Sequence, residues 1–246
     1  MAWDAPAVTT KADADMSSAG GTFSFAHDSG QTGNRFLLFG MAWRSSSAIT
    51  ILGVTYNSVA MTQFGGVVNS AAIRAHLFGL VGPASGSNTL EVSYSTGGVN
   101  ATYVAGAATY FGVDQAAPYS NYTMSRDTSS ASPRFSVGTV TSISTALGVA
   151  FHCCNTNSTA SPGNAQTERY DIRRTNAGTA AASLSDATGA ADTVFHDTWS
   201  VDAATNWIAF GASLNVATAS LLTCPLIGAG DLVGPGNLLG PAALVY

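Results

Sequence analysis

Lysine is almost absent from this chain: Lys11 is the only one, and Glu91 and Glu168 are the only glutamates. Charged residues make up 9% of the 246, against about a quarter in an ordinary globular protein. Nine scattered basic residues and a net charge of −5 leave no cationic footprint for phosphates, so no nucleic-acid partner is expected. The one basic doublet, Arg173-Arg174, reads as a solvated strand edge. No apolar run reaches the ~20 residues that a membrane helix needs, so no membrane partner is expected either. The first residues, MAWDAPAVTTKADADM, do not place a basic segment before an apolar one, and no secretory signal is expected. Cysteine is scarce too. Cys153 and Cys154 point to opposite faces if they lie on a strand, and neither they nor Cys224 has the spacing of a zinc site. All three read as buried free thiols in a protein made in a reducing compartment.

Catalytic signatures are equally thin. The chain has no G-x-S-x-G, Walker or dinucleotide-binding pattern. Paired carboxylates for glycoside hydrolysis are hard to find: Glu91, between Leu90 and Val92, should face solvent from a strand. Asp114 follows Phe111-Gly112-Val113, where a carboxylate caps a turn through backbone N–H groups more readily than it catalyses. His27, His76, His152 and His196 have no ligand-spaced partners, and His76 and His152 sit inside apolar strands as core residues. Asp13-Ala14-Asp15 is only a faint echo of a calcium loop. The expectation is a protein that is not an enzyme, with no catalytic, cofactor-binding or metal-binding residues.

What is present is strand periodicity. Hydrophobic residues are 46% of the chain. Apolar runs or alternations mark strands at 22–25, 36–43, 49–56, 60–64, 72–81, 89–94 and 103–111. Others follow at 135–140, 146–154, 168–174, 180–184, 193–199 and 207–214. Gly-, Pro-, Asn- and Ser-rich turns separate them, and Tyr56-Asn57-Ser58-Val59 has the look of a two-residue hairpin turn. Many short strands with no helical stripe predict an all-β fold, an antiparallel β-sandwich of jelly-roll-like kind. Its body should span residues 20–216, after an N-terminal segment 1–19 and before an extended C-terminal arm 217–246. Phe39, Trp43, Val54, Leu77, Phe111, Phe151 and Trp207 should be core, and Trp199 also falls in an apolar strand pattern. Residues 115–134 and 155–166 lack periodicity and read as long loops. The first holds Tyr119, Asn121, Tyr122 and Arg126, a candidate contact loop for protein or sugar, with simple loop packing as the alternative.

The chain ends on LIGAGD-LVGPGN-LLGPAA-LV, two aliphatics followed by four small or turn-forming residues, three times over. A strand of the body needs period two, not six. Three hexads make one coil of a β-helix at most, which leaves its aliphatics exposed. Extended, twenty residues reach ~65 Å. Burying Leu226, Ile227, Leu232, Val233, Leu238, Leu239 and Leu244 is worth on the order of 10 kcal/mol before ordering costs. These seven are the candidate subunit-interface residues, set in a groove of another subunit or a threefold bundle of identical arms. Docking back on the same sandwich remains the alternative.

Several segments carry a family likeness. GNRFLLFGMAW, ILGVTYNSVAMTQF, RAHLFGLVGPASGSNTLEVSY, VAGAATYFGVDQAAP and TNWIAFGASL follow one another along residues 20–215. Within them, Asn34-Arg35 opens a strand, Val54-Thr55-Tyr56 precedes a hairpin and Leu80-Val81-x-Pro83 precedes a Gly/Ser turn. Phe111-Gly112-Val113-Asp114-Gln115-x-x-Pro118 and the Trp207 strand complete the set. As a set they resemble a β-sandwich module of tailed-bacteriophage virion proteins and of bacterial surface or secreted proteins. The resemblance implies a structural or adhesive unit with no catalytic residues; the hexad arm lies outside it. The expected function is therefore a structural protein of a tailed-phage virion, located in the virion after assembly in the host cytoplasm. A capsid decoration or head-fibre-type protein anchored by its arm comes first, and a tail or baseplate component next. Its partners would be itself, as a homotrimer, and other virion proteins, foremost the major capsid protein. The rival is a carbohydrate-binding or adhesive module of a tail, baseplate or bacterial surface protein, whose partner would be a host-surface glycan.

Overall fold

The computed structural model describes residues 9–44, 49–70, 73–130, 134–137, 147–157, 161–162, 166–175, 179–188, 195–200 and 205–217. They contain strands and no helix. The first half holds β1 (Thr9–Met16), β2 (Gly21–Asp28), β3 (Phe36–Arg44), β4 (Thr50–Tyr56), β5 (Val59–Ala60), β6 (Thr62–Ser70), β7 (Ile73–Val81), β8 (Ser87–Ser95) and β9 (Ala101–Tyr110). The second holds β10 (Tyr119–Ser130), β11 (Arg134–Val137), β12 (Leu147–Cys154), β13 (Ser161–Pro162), β14 (Thr167–Arg174), β15 (Ala180–Thr188), β16 (Phe195–Ser200) and β17 (Thr205–Leu214). Each expected strand overlaps one of these within the described residues, although the one expected at 60–64 is divided between β5 and β6. The β4–β5 hairpin turns through Asn57 and Ser58 with φ of 49° and 64°, the left-handed pair that matches the twist of a tight hairpin.

The strands form an antiparallel sandwich of three large sheets, with the order β1-β9-β3-β7-β6 in the middle. One outer sheet is β2-β8-β4-β5, the other β10-β17-β12-β15-β14, and β11-β16-β13 form a short fourth group. The reason for a middle sheet is written in β3 and β9. Their sequences, FLLFGMAWR and ATYVAGAATY, are apolar or small at consecutive positions, and β9 is buried at every residue. Such runs need cover on both faces. β8, SNTLEVSYS, instead alternates buried with solvent-facing positions, as an outer strand must. Leu37, Phe39, Met41 and Trp43 of β3 pack toward β4 and β8, against Val54, Tyr56, Leu90 and Val92. Phe36 and Leu38 pack the other way, toward Phe151, Leu184 and Phe210. All seven residues expected in the core are buried.

Close approach of the layers depends on glycines. Gly40 and Gly106 face each other across β3 and β9. A Cβ on Gly40 would lie 2.4 Å from the Phe151 ring, and one on Gly106 2.3 Å from the Tyr170 ring. Tyr170 is itself buried and donates its hydroxyl to the Gly106 carbonyl at 3.3 Å, so its ring has nowhere to retreat. Gly106→Ala should therefore lower stability by ~1–3 kcal/mol through overpacking, read as a shift in the urea midpoint. An unchanged midpoint would mean that the two sheets separate freely at this point.

Two segments differ from expectation. The sequence places residues 1–19 before the sandwich, whereas β1, at 9–16, is an edge strand of the middle sheet, in register with β9 from Thr9 opposite Ala108 to Met16 opposite Ala101. Its alternation is real but rests on alanines: Ala14 and Met16 pack inward, while Asp13 and Asp15 point the other way. Arg174, at the edge of the opposite sheet, reaches Asp13 at 2.8 Å and Asp15 at 3.1 Å. The faint calcium-loop echo is thus an ion-paired clasp. The hydrogen bond from Arg174, which outweighs the opposing effect of burial, holds the Asp15 carboxyl below its ordinary value, with Thr102 adding to it. Segment 115–134, read as a loop, is largely strand β10, paired with β17. The pairing slips between Ser120 and Thr123 and again between Asp127 and Ser130. These bulges erase the period-two signal that would have revealed an edge strand.

Candidate functional site

At the end of β17, the last strand among the described residues, segments from four places in the chain meet. Arg35, just before β3, donates from Nε and Nη2 to the Pro83 carbonyl at 3.2 and 3.0 Å, and from Nη1 to Thr32 at 2.8 Å. The Gly82 amide donates back to the Arg35 carbonyl at 2.9 Å, and the Val113 amide to that of Asn34 at 3.0 Å. Gln115 Nε2 bridges the carbonyls of Arg35, at 3.2 Å, and Val113, at 2.8 Å. Asn34-Arg35, Val81-x-Pro83 and Phe111–Pro118 are therefore one hydrogen-bonded corner, assembled from residues up to ~80 positions apart, where buried backbone groups must be paired.

Asp114 does what its position in the turn suggests. Its Oδ1 accepts the amides of Ala116 at 2.8 Å and Ala117 at 3.0 Å. Those two bonds hold its pKa below the ordinary value. It is a turn cap.

This corner also grips the end of the body. Val113 and Val216 form an antiparallel bridge. The Asp114 amide donates to the Asn215 carbonyl at 2.8 Å, Asn215 to Pro118 at 3.0 Å, and Ala217 to Gly112 at 2.8 Å. The Asn215 side chain adds a bond from Nδ2 to the Ala117 carbonyl at 2.7 Å and one between Oδ1 and Ser120 Oγ at 2.9 Å. Residues 215–217 are thus held to the 112–120 segment by backbone and side-chain bonds together. Neither Asn215 nor the Arg35–Pro83 clamp was singled out from the sequence. The only hint was that Asn34-Arg35, Pro83 and Asp114–Pro118 all stand just outside strands.

The four candidate contact residues separate. Tyr119 stacks on Phe64 with ring centroids 4.1 Å apart, and Tyr122 meets Phe64 edge-on at 6.3 Å and Phe210 at 6.3 Å. Both are half-buried against the core, closing the gap between β10 and β6. Burial, helped by Tyr119, pushes the Tyr122 hydroxyl up to about 12. They are packing residues, and the bulge explains the spacing of three that brings both to one face. Asn121 is the exposed bulge residue, at φ 53°. Arg126 is exposed further along β10, opposite Ile208. The seven candidate interface residues from Leu226 to Leu244, Cys224 and the side chains of Trp199 and His196 lie outside the described residues.

His27, His76 and His152 are buried in packing. His27 Nε2 and Thr109 Oγ1 share a hydrogen bond at 2.8 Å between β2 and β9. Cys153 and Cys154 are buried free thiols. Glu91 is exposed on β8. Among the described residues no three His, Cys, Asp or Glu side chains are grouped to hold a metal. A cluster that the sequence did not reveal is Arg169–Asp186, linked at 2.5 Å and 2.6 Å, with Tyr110 beside it. Comparison with family models, with curated proteins and with solved structures found no match.

Proposed function

We propose that this chain is a non-enzymatic structural protein of a tailed-phage virion, a capsid decoration or head-fibre-type protein attached through its C-terminal arm. The observation that carries the reading is the pinned segment 215–217, which lies just before the hexad sequence and is held by five hydrogen bonds to residues 112–120. An anchor that transmits a holding force needs a root that does not fray, and a clamp of this kind supplies one. The charge-poor composition supports a chain whose surfaces are largely covered by neighbours. Its partners on this reading are further copies of itself, as a trimer, and the major capsid protein. The glycan-binding alternative calls for exposed aromatics, whereas Trp43 and Trp207 are buried and Tyr119 and Tyr122 are taken up in packing.

Deletion of residues 221–246 tests the reading, because it keeps the root and removes the hexads. The truncated chain should melt within a few degrees of the full one and fail to join particles when co-expressed with the capsid protein. Normal incorporation would move the attachment surface to the sandwich. Melting many degrees lower would make the arm part of its own domain's core, and the anchor reading would fall.

A further inference from the structure

Every sheet with an open edge offers unpaired N–H and C=O groups, and natural proteins blunt such edges. Here most are blunted. β6 slips register between Phe64 and Val68, β10 slips twice, and β14 slips between Glu168 and Tyr170. β5 has two residues. β1 carries Lys11, Asp13 and Asp15. The remaining edge of the three large sheets, β2, has none of these guards. It pairs with β8 in unbroken register over eight residues, and its only charge is Asp28 at the end.

The direction of its backbone groups follows from β8. The Asn57 amide donates to the Thr89 carbonyl at 2.9 Å, and the Met61 amide to the Val54 carbonyl at 2.9 Å. Thr89 therefore points toward β4, and Val54–Val92 is a non-bonded pair, so Leu90 and Val92 point toward β2. Their partners Phe25 and Phe23 point back. By alternation, the N–H and C=O groups of Thr22, Ser24 and Ala26 point out of the sheet edge. All three residues are exposed. Beneath the same edge, Phe23 stacks on Tyr103 at 3.9 Å and Phe25 leans on Phe39 at 6.2 Å, yet both remain half-exposed.

We infer that β2 is a self-association surface: two copies of this chain pair antiparallel through β2 about a twofold axis at Ser24, making one continuous eight-stranded outer sheet. A twofold axis through the sheet keeps both inner faces on one side, so inward residues must meet inward residues. That limits the register to even sums of residue numbers. With Ser24 opposite Ser24, Thr22 meets Ala26 and Ala26 meets Thr22, so all three outward residues of each copy bond at once. Phe23 then lies beside the other copy's Phe25 at the close, non-bonded spacing of about 4.5 Å, twice over, which buries the exposed edges of four rings. Moving the axis to Phe25 brings Asp28 opposite Thr22, and moving it to Phe23 leaves Ala26 opposite Gly20, whose amide is already held by Ser17. None of these residues belongs to the C-terminal arm proposed to join three copies, so the twofold pairing does not rest on that reading and would join copies of different trimers.

Cysteine cross-linking of the full-length chain, in a Cys224→Ser background, reads the register. Ser24→Cys should give a disulfide-linked dimer under mild oxidation, since a bonded antiparallel pair brings the two Cα atoms to about 5.5 Å. Thr22→Cys alone should not, because four residues along the strand separate the two copies by ~13 Å. Thr22→Cys with Ala26→Cys should restore the cross-link. Ser24→Pro removes an outward N–H without touching the bonds to β8, and should weaken dimerisation in sedimentation at least tenfold with an unchanged circular dichroism spectrum. Absence of the Ser24→Cys dimer, or equally fast cross-linking by Thr22→Cys, would overturn the proposal. So would Ser24→Pro sedimenting like the parent.

Discussion

Arg169→Ala should destabilise the fold by ~3–5 kcal/mol, the loss expected when one partner of a buried ion pair is removed. Asp186 is 1% exposed on β15, on the face turned to the middle sheet. Arg169 is the extra residue of the β14 bulge, between Glu168 opposite Ser185 and Tyr170 opposite Leu184. The bulge turns the guanidinium inward beside Tyr170, where Nε and Nη2 grip both carboxylate oxygens. Burial is the largest influence on Asp186 and raises its pKa, while the guanidinium pulls it down. Tyr110, fully buried on β9, has its hydroxyl held neutral by burial and by the neighbouring carboxylate. Removing Arg169 leaves that carboxylate buried without its cation. Asp186→Ala should cost a similar amount by stranding the guanidinium. The pair Arg169→Leu with Asp186→Leu should cost less than either single change, because no charge is left unpartnered. Urea denaturation of the four chains measures this. Single losses under 1 kcal/mol, or a double equal to the sum of the singles, would show that water reaches the pair.

This ion pair illustrates what sequence patterns convey here and what they hide. FLLFGMAW and ATYVAGAATY announce strands because apolar runs of that length bounded by turns have few other homes. Their lack of alternation goes with a sheet covered on both faces, where a strand covered on one face alternates. Asn57-Ser58 and Asp114 were legible because turns and caps are local: a few adjacent residues determine them. Bulges are not. Arg169 and Asn121 look like ordinary strand or loop residues until the partner strand shows one residue too many on their side. The corner at Arg35, Pro83, Gln115 and Asn215 was invisible for a different reason. Its hydrogen bonds run mostly to backbone carbonyls, which carry no side-chain signature, and they join segments from four places in the chain. Edge strands β1 and β10 escaped because an edge needs apolar residues on only part of one face, and alanine or two tyrosines suffice.

Acidification should unfold the protein well above the range where its surface carboxylates titrate. Three histidines are buried: His27 between β2 and β9, His76 on β7 and His152 on β12. His76 lies between the rings of Trp43, 5.1 Å away, and Phe78, 5.7 Å away, and neither of its nitrogens has a hydrogen-bond partner among the described residues. Desolvation penalises the charged imidazole in each case, lowering His27 and His76 to about 4 and His152 to about 3, with only Asp28 opposing it at His27. In the unfolded chain all three sit at about 6.5. A histidine depressed in the fold contributes stability that is complete above 6.5. That stability is lost as pH falls from 6.5 through the folded value, because the unfolded state takes up protons that the folded state refuses. Each histidine thus withdraws on the order of 3 kcal/mol over this window, and three together approach the whole stability of a typical domain. Asp15 and Asp114, whose partners lower them below 3.8, weaken the fold only at still lower pH. Asp186 works in the opposite sense, since burial raises it. The expected result is a urea midpoint that is flat from pH 8 to 7 and falls steeply below 6, with uptake of about three protons on unfolding near pH 5. His76→Phe, which keeps the ring and removes the ionisable nitrogens, should reduce that uptake by about one proton and move acid unfolding to lower pH. A midpoint unchanged between pH 7 and 4.5 would mean that the imidazoles are charged in the folded state, and that the seams holding them admit water.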